Sequence, residues 1–404
     1  MRSTSEQLHI IKSGGANIVP ESALVQKLDR GEPLRIKLGV DPTAPDLHLG
    51  HAVPLRKLRQ FQDLGHTVVL IIGNGTALIG DPSGRNSTRP PLTAEQIAAN
   101  AATYVEQAFR ILDAEKTELT WNNDWLGPLQ LADILKLTAQ FTVARILERD
   151  DFANRLNNQL PISLHEVLYP VMQAYDSVAV RADVEMGGTD QLFNLLAGRE
   201  LMEKLDMEPQ VCLTLPLLEG TDGVQKMSKS YGNYIGITEG PNEMFGKVMS
   251  IPDEIMPRYL FLASTFSVEE SDQMIAAWQA GELHPNILKR QLAANVVTAY
   301  HSAAAAAAAE AEFDRVFKEH AAPADIDEIA LNLVSDADGL VYLPAVLVEL
   351  GFATSAGEGR RLIDGGGVQI GGQTVATGDY RLAPERLQGA IVQAGKRRFA
   401  RINF

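Results

Sequence analysis

Two short apolar runs in the first part of the chain predict buried strands. They are LRIKLGV at 34–40 and VVLII at 68–72, and both consist largely of β-branched and aliphatic residues. Each run ends in glycine and turn chemistry, GVDPTAPD after the first and GNGTALIGDPSG after the second. The two segments therefore predict two strands, each followed by a loop at one edge of a sheet.

Helical patterns alternate with these strands. Thr93 and Gln96 form a capping-box signature, and apolar residues follow it at helical spacing at Ile97, Ala101, Tyr104, Ala108 and Ile111. A second signature at 163–166 predicts a helix that runs through Asp176, with a core stripe at Leu164, Leu168, Val171 and Met172. Alternating β and α elements predict an α/β fold, namely a doubly wound, Rossmann-like parallel sheet that binds ligands at the carboxyl ends of its strands.

The second half of the chain has a different pattern. Residues 241–318 are mostly helical and include seven consecutive alanines at 303–309. Residues 320–334 are acidic and contain proline, which is typical of a linker, and the last 65 residues mix short helices with Gly-rich turns. We therefore predict a catalytic domain at 1–220, a functional loop at 221–240, a helical domain at 241–320, a linker at 321–338 and a small α+β domain at 339–404.

Composition narrows the class of protein. The chain has 404 residues, of which 45% are hydrophobic and 22% charged, as in ordinary globular proteins. Its longest strongly apolar run, at 68–72, is too short for a membrane helix, and its first residues have no apolar signal segment. A single cysteine, Cys212, excludes an intramolecular disulfide. These features predict a cytoplasmic protein without a membrane partner.

The charge is distributed unevenly along the chain. The net charge of −15 argues at first against a nucleic-acid partner. However, the last 65 residues contain eight basic and five acidic side chains, a net charge of +3, so the remainder carries −18. A basic tail on an acidic body is compatible with RNA binding by the tail.

The segment GVDPTAPDLHLGH at 39–51 combines a strand end, a proline-rich turn and a helix start. Asp46 is the predicted N-cap, and His48 and His51 are three residues apart, on one face of the helix. The free N–H groups and dipole at such a start favour an anion such as a triphosphate, and Gly50 leaves room for a flat base. On the string alone, two ordinary helix histidines are an equally good interpretation.

The segment KMSKS at 226–230 places two lysines beside a glycine-containing loop. Such a loop can close on phosphates as negative charge develops. Taken alone, it is more often a solvated basic surface. HxGH and KMSKS together, in this order, resemble the two signatures of class I aminoacyl-tRNA synthetases.

A third pattern resembles the amino-acid pocket of tyrosyl-tRNA synthetases. Tyr169, Gln173 and Asp176 share one stripe of the predicted helix, and MGGTDQ follows at 186–191. A polar face exposed to solvent is the alternative interpretation of the stripe. Within the resemblance, Asp176 accepts a hydrogen bond from the substrate phenol, which is the established way in which tyrosyl-tRNA synthetases reject phenylalanine.

The resemblance implies roles for further residues. It places the substrate ammonium at Asp81, Tyr169 and Gln173, with Gln191 close by. It assigns the triphosphate and the catalysis to Thr43, His48, His51, Lys226, Lys229 and Ser230. It assigns the ATP site to Gly39, Asp41, Gly50, Gly188, Asp190, Met227 and Lys229.

Two positions depart from the common pattern. Lys37 stands where better-known members of the family carry a tyrosine that contacts the substrate hydroxyl. Its ammonium group could donate to that hydroxyl or pair with a carboxylate, and the sequence leaves both alternatives open. Pro54 lies inside the predicted helix after His51, where a proline predicts a kink.

The tail resembles an S4-type RNA-binding module. The similarity rests on LPAV at 343–346, AGEGRRLI at 356–363 and VQIGGQTV at 368–375. The predicted phosphate contacts are Arg360, Arg361, Lys396, Arg397 and Arg398.

The resemblance implies a two-step reaction without a side-chain nucleophile. L-Tyrosine attacks ATP to give tyrosyl-adenylate and pyrophosphate, and the tyrosyl group then moves to the terminal ribose of tRNA(Tyr). It also implies Mg²⁺ bound with ATP, an anticodon-binding role for the helices of 241–320, and a homodimer. The alternatives are a tryptophanyl-type synthetase, a nucleotidyltransferase of the HxGH type, and an RNA-binding protein descended from a synthetase.

Overall fold

The computed structural model describes residues 2–43, 46–83, 92–317, 326, 328–331, 335–395 and 398–404. Its internal contacts divide the chain into two compact units, Met1–Ala306 and Ala307–Phe404. In the described part of the chain, no helix combines the length and the apolar character needed to cross a membrane.

The first unit is built on a six-stranded sheet. Its strands are β1 (Asn17–Val19), β2 (Arg35–Val40), β3 (Thr67–Ile72), β4 (Thr117–Trp121), β5 (Val184–Gly188) and β6 (Val211–Leu215). They lie in the order β1-β6-β5-β2-β3-β4, in which β1 is antiparallel to β6 and the other pairs are parallel. The doubly wound α/β sheet predicted from the sequence is therefore confirmed.

The two apolar runs form adjacent central strands. β2 and β3 pair in parallel from Arg35 opposite Thr67 to Val40 opposite Ile72. Five consecutive residues of β3, from Val68 to Ile72, are fully buried, because helices cover both faces of the sheet. Both predicted strands are therefore present, each with its start shifted by one residue.

Fifteen α-helices lie in the described part of the chain before residue 318. They are α1 (Thr4–Lys12), α2 (Glu21–Leu28), α3 (Leu49–Leu64), α4 (Ala94–Ala108), α5 (Asn123–Leu126), α6 (Leu131–Thr138), α7 (Val143–Ile146), α8 (Asp150–Asn157), α9 (Leu164–Val180), α10 (Leu192–Lys204), α11 (Pro241–Met249), α12 (Met256–Leu262), α13 (Val268–Gln279), α14 (Pro285–Tyr300) and α15 (Ala303–Phe317). The helical character predicted for 241–318 is confirmed.

Helix starts follow the capping signals with one exception. Capping boxes begin α4 at Thr93 and α9 at Ser163, as predicted. The N-cap of α3 is His48, so the prediction of Asp46 at that position is wrong. The predicted core position Leu164 is also wrong, because it is the first residue of α9 and is 82% exposed.

The order of the strands places a crevice between β2 and β5. From β2 the chain continues to β3 and β4 on one side, whereas β5 and β6 extend the sheet on the other side. At such a switch point the connections leave in opposite directions and a space opens at the carboxyl ends of the strands.

The second unit contains a mixed sheet packed on two helices. Its elements are β7 (Glu328–Ala330), β8 (Val341–Tyr342), α16 (Leu343–Glu349), α17 (Ala356–Asp364), β9 (Val368–Ile370), β10 (Gln373–Thr374), β11 (Arg381–Leu382), β12 (Ile391–Ala394) and β13 (Arg398–Asn403). Five strands lie in the order β10-β9-β12-β13-β7, and β8 pairs with β11. β7, which falls within the segment expected to be a linker, pairs in parallel with β13.

Candidate active site

A cavity of about 310 Å³ opens at the carboxyl ends of the strands, at the switch point between β2 and β5. Twelve of the residues predicted for the site line it: Gly39, Asp41, Thr43, Gly50, His51, Asp81, Tyr169, Gln173, Asp176, Gly188, Asp190 and Gln191. They are separated by up to about 150 positions in the sequence, and the parallel sheet brings them to one place. The cavity is therefore the candidate active site.

Asp176 is a buried carboxylate in the wall of this cavity. Its Oδ1 accepts a hydrogen bond from Trp125 Nε1 at 2.8 Å, and its Oδ2 accepts from Asn122 Nδ2 at 3.2 Å. Burial raises the pKa of Asp176 to about 6, while the positive charge of Lys37 and these two hydrogen bonds lower it. The side chain is thus held in place as an acceptor, and it is not on the solvent-exposed face considered as the alternative.

Tyr169 and Asp41 form a second polar pair. The Tyr169 hydroxyl donates to Asp41 Oδ2 at 3.0 Å, and Thr76 Oγ1 donates to Asp41 Oδ1 at 2.7 Å. Burial raises the pKa of Asp41 to about 7. The backbone at Gly73 lies close to Asp41. An added Cβ at Gly73 would lie 2.0 Å from Asp41 Oδ1, so this position requires glycine.

Further oxygen acceptors lie in the wall of the cavity. Gln191 Nε2 donates to Asp81 Oδ2 at 2.9 Å, and Ser83 donates through its N–H and its hydroxyl to Asp81 Oδ1. Gln173 Oε1 is buried and has no hydrogen-bond partner among the described residues. Asp81, Gln173 and Gln191, to which the resemblance assigns the substrate ammonium, thus all line the cavity.

A polar chain supports this wall from behind. Asn194 Nδ2 donates to Gln191 Oε1 at 3.0 Å, and the buried Arg149 donates to Asn194 Oδ1 and to Ser83 Oγ, each at 2.9 Å. Asp151 in turn accepts from Arg149. Residues from α8, α10 and the loop after β3 thereby fix the orientation of Gln191.

The two histidines of HxGH meet at the start of α3. Their rings stack with centroids 3.8 Å apart, and His51 Nδ1 accepts from the His48 backbone N–H at 3.4 Å. Burial removes water from around the two rings. This is the main reason why the pKa of His48 is lowered to about 3 and that of His51 to about 4. Both are thus neutral at pH 7, and His51, whose Nδ1 accepts, carries its proton on Nε2.

Gly50 has a tighter environment than the sequence suggested. An added Cβ would lie 3.0 Å from the imidazole ring of His48 and 3.5 Å from Met227 Cβ. The Gly50 N–H points at Met227 Sδ at 3.4 Å. The glycine therefore accommodates the neighbouring side chains as well as bordering the cavity.

The KMSKS loop lies beside the cavity and does not line it. Met227 is buried against Gly50, and Lys229 Nζ donates to Asp46 Oδ2 at 2.9 Å. Lys226 and Ser230 are exposed. Since both Gly50 and Asp46 border the cavity, the loop is anchored at its rim.

Lys37 is buried beneath the cavity and pairs with a carboxylate. Its Nζ lies 2.7 Å from Glu185 Oε1, and it does not line the cavity. Of the two alternatives that the sequence left open, the structure shows the ion pair. The prediction that Lys37 contacts the substrate directly is therefore not supported by its position.

Sequence reasoning missed several residues of the site. Thr76 lies four residues after β3 and Asn122 lies directly after β4, so the strand ends could have indicated them. Trp125 and Glu185 carried no sequence signal, because Trp125 lies inside the short helix α5 and Glu185 lies inside an apolar strand. Each contacts a predicted residue only through the tertiary fold.

The second unit exposes part of the predicted RNA-binding set. Arg360 and Arg361 lie on α17 with exposed side chains. Arg398 is instead partly buried and donates to the backbone carbonyls of Phe352 and Ala394. Lys396 and Arg397 lie outside the described residues. The prediction of phosphate contacts therefore rests mainly on the two arginines of α17.

Known proteins match the chain along its whole length. The family model of class I tRNA synthetases (W and Y) matches residues 29–318, and the S4 domain model matches residues 343–386. The chain is 51% identical over 403 residues to the tyrosine–tRNA ligase of Moorella thermoacetica, covering 99% of this chain and 96% of that protein. It is 52% identical over 406 residues to the tyrosine–tRNA ligase of Geobacter metallireducens, covering both chains fully.

Solved structures share the fold. A tyrosyl-tRNA synthetase from Archaeoglobus fulgidus, complexed with L-tyrosine, superimposes with a TM-score of 0.64 at 24% identity, over 76% of this chain and 99% of that one. A truncated mitochondrial tyrosyl-tRNA synthetase from Aspergillus nidulans gives a TM-score of 0.65 at 23% identity, over 78% and 95% of the two chains.

The fold, the cavity and the family model together define a class I aminoacyl-tRNA synthetase. The tail carries an S4 domain in addition. Within this class, the chain belongs to the tyrosine–tRNA ligase family.

Proposed function

We propose that the chain activates L-tyrosine with ATP and transfers the tyrosyl group to the 3′-terminal ribose of tRNA(Tyr). The observation that carries the choice of amino acid is the buried Asp176 carboxylate, fixed by Trp125 and Asn122. A phenolic hydroxyl can donate to it, whereas a phenylalanine ring would leave it desolvated and without a partner, as is already established for tyrosyl-tRNA synthetases. This carboxylate and the relatives of the chain favour the proposed function over the two alternatives, a tryptophanyl-type enzyme and an HxGH nucleotidyltransferase.

The cavity wall at Asp81, Gln173 and Gln191 would hold the amino-acid end of the substrate. Asp81, Gln173 and Gln191 offer oxygen atoms that suit an ammonium group, and Tyr169 is tied to Asp41 close by. With the phenol at Asp176 and the ammonium at this wall, the carboxylate of tyrosine would project toward the rim of the cavity. Holding the two reactants in one geometry supplies much of the rate in reactions of this kind.

The triphosphate would lie at the rim. Thr43, His48 and His51 would contact it from one side, and Lys226, Lys229 and Ser230 would contact it from the KMSKS loop. Neutral histidines donate hydrogen bonds without adding charge, while Lys229 supplies the positive charge as the pyrophosphate leaves. Gly39, Asp41, Gly50, Gly188, Asp190 and Met227 would border the adenosine.

Mg²⁺ would bind together with ATP, through the phosphate oxygens of the nucleotide. The described residues contain no cluster of three or more histidine, cysteine or acidic side chains arranged to hold a metal ion. The donors at the rim are imidazoles and ammonium groups, which suit phosphate oxygens, and the nearby carboxylate of Asp46 accepts from Lys229. Mg²⁺ commonly keeps several waters and binds through substrate phosphates.

The tRNA would contact the helices of 241–320 with its anticodon region and the S4 domain with its phosphates. The exposed Arg360 and Arg361 of α17 support the second contact. The acidic remainder of the chain would disfavour nonspecific nucleic acid elsewhere.

An apolar surface supports the proposal of a homodimer. The α6–α9 apolar face consists of the exposed side chains of Leu131, Leu135, Val143, Leu156 and Leu164. Two of them, Leu131 at 72% and Val143 at 68% exposure, lie on helices whose other sides pack in one buried cluster. Several large apolar residues exposed by neighbouring helices are typical of a protein interface.

The test of the proposed function is ATP–pyrophosphate exchange with each of the twenty amino acids. We expect exchange with tyrosine alone, and subsequent charging of tRNA(Tyr) in the same preparation. Exchange driven by tryptophan, or exchange independent of any amino acid, would contradict the proposal.

A further inference from the structure

A buried ion pair connects the two strands that flank the cavity. Lys37 on β2 and Glu185 on β5 are directly opposite each other in the parallel ladder. Their charged atoms are 2.7 Å apart, and their side chains are 0% and 1% exposed. Burying two charges costs free energy that their attraction often does not recover, so such a pair invites a functional explanation.

Lys37 has no hydrogen-bond donor left for a ligand. An ammonium group has three N–H donors. The acceptors of Lys37 Nζ are Glu185 Oε1 at 2.7 Å, Ser177 Oγ at 2.8 Å and the Gln173 backbone carbonyl at 3.2 Å. The lysine therefore acts on the protein, and it holds α9 against the sheet.

Glu185 determines how the side chain of Gln173 is oriented. Its Oε1 accepts from Gln173 Nε2 at 3.1 Å, and its Oε2 accepts from Ser177 Oγ and Gln210 Nε2. With the NH₂ group of Gln173 committed to Glu185, the Oε1 atom is left over. That atom is buried without a partner in the described part of the chain, and Gln173 lines the cavity.

We propose that the Lys37–Glu185 ion pair is a positioning element that selects ligands carrying an ammonium group, because it holds Gln173 in the cavity wall with its carboxamide oxygen unpaired. A reversed carboxamide would direct N–H groups at the ammonium of tyrosine and repel it. Lys37 is needed because, without its ammonium group, the buried Glu185 carboxylate would have no charge partner to hold it in this position. The inference rests on the proposed function and adds two positioning residues to it.

The positive charge of Lys37 also acts on Asp176, the proposed acceptor of the tyrosine hydroxyl. It lowers the pKa of Asp176 against the effect of burial, which favours the ionised acceptor. The negative charge of Glu185 raises that pKa, so a variant that removes both charges removes two opposing effects on Asp176 together.

The test replaces the pair by residues of similar size in the double variant K37M/E185M. Exchanging a whole buried ion pair for apolar residues usually preserves folding, unlike removal of one partner. The affinities of L-tyrosine and of its des-amino analogue, hydroxyphenylpropionate, are measured by equilibrium dialysis. We expect tyrosine to bind about 10- to 100-fold more weakly, as for loss of a hydrogen bond to a charged group, and the analogue to bind within about twofold of the wild type.

A matched control exists between α8 and α9. Arg155 and Glu166 form another buried ion pair, 2.8 Å apart, and do not line the cavity. The variant R155M/E166M should leave both affinities unchanged. Equal weakening of both ligands in K37M/E185M would mean that the pair only stabilises the fold, and unchanged tyrosine affinity would also overturn the inference.

A second variant covers the case in which K37M/E185M does not unfold cooperatively. K37M/E185Q also removes both charges but keeps an oxygen acceptor for Gln173 Nε2, so it should weaken tyrosine less, again without affecting the analogue. Failure of the wild-type protein to exchange pyrophosphate with tyrosine would instead contradict the proposed function, which keeps the two results distinct.

Discussion

The ammonium group of Lys229 donates to the carboxylate of Asp46 across 2.9 Å, which joins the KMSKS loop to the turn before α3. Both side chains are partly exposed, and such pairs contribute only about 0–1 kcal/mol. The contact is therefore weak enough to open when a triphosphate offers Lys229 a stronger partner. Asp46, predicted as a helix cap, instead holds a loop lysine at the rim of the cavity.

The first prediction concerns Lys229. Lys229→Ala should slow adenylate formation about 100- to 1,000-fold, the usual effect of removing one group that stabilises transition-state charge. Tyrosine affinity should stay within about twofold, because Lys229 is outside the tyrosine pocket. Single-turnover formation of the adenylate measures the first quantity and equilibrium dialysis the second. Lys12→Ala, which breaks a comparably exposed ion pair with Glu21, is the control, and equal losses of rate and affinity in Lys229→Ala would contradict the assignment.

The second prediction concerns Asp176. Asp176→Ala removes the acceptor and leaves Trp125 Nε1 and Asn122 Nδ2 without it. Tyrosine binding should weaken, and the preference for tyrosine over phenylalanine in pyrophosphate exchange should fall about 10-fold or more, since a buried unpaired polar group costs about 1–3 kcal/mol. An unchanged ratio of kcat/KM for the two amino acids would refute the role of Asp176.

The third prediction concerns pH. The pKa of Asp176 is about 6, above the value in an unfolded chain, chiefly because of burial. Tyrosine needs the ionised acceptor, so its affinity should fall as the pH drops below 6, by at most tenfold per unit. Equilibrium dialysis between pH 5 and 8 measures this, and Asp176→Asn should abolish that transition. Asp41, with a pKa of about 7 in the same cavity, would account for any transition that remains in the variant.

The same shift has a consequence for stability. Because the folded protein binds the proton of Asp176 more tightly than the unfolded chain does, this stabilising contribution is full below the unfolded pKa near 4. It is lost as the pH rises through 6. Asp176→Asn should therefore be more stable relative to the wild type at pH 8 than at pH 4, as measured by urea unfolding. A constant difference across this range would contradict the shifted pKa.

Much of the fold could be predicted because its signals are local. The continuous apolar run of β3 and the capping boxes at Thr93 and Ser163 each specify an element within a few residues. The cap of α3 was mispredicted because local preference favours Asp46, whereas in the tertiary fold Asp46 accepts from Lys229 and the helix begins after His48. Leu164 was mispredicted because helical spacing alone does not show where the core ends.

The candidate site was predictable where a motif carried it. Asp81, Tyr169, Gln173, Asp176 and Gln191 all line the cavity. The partners that orient them lie far apart in sequence: Trp125 is 51 positions from Asp176, and Lys37 is 148 positions from Glu185. The contact of Lys37 with Glu185 depends on the pairing of β2 with β5, and neither contact has a local signature.

The fourth prediction concerns the S4 domain. The double variant R360A/R361A should leave tyrosine-dependent pyrophosphate exchange unchanged and raise the KM for tRNA(Tyr). It should also reduce the salt dependence of tRNA binding by about one unit of slope per arginine. The exposed Arg386 of the same unit, 3.9 Å from Asp379, is the matched control. If the variant charges tRNA normally at all salt concentrations, these arginines do not contact phosphate.

The last prediction concerns the α6–α9 apolar face. Placing a charge in a buried apolar interface is strongly unfavourable, whereas the same charge on a free surface costs little. The double variant L131D/L164D should therefore convert a dimer into a monomer in sedimentation velocity, at the concentration at which the wild type is dimeric. Ile287, half-exposed on α14 and outside this face, provides the control, and Ile287→Asp should remain dimeric. A wild-type protein that sediments as a monomer, or a dimer that persists in L131D/L164D, would show that this face is not the interface.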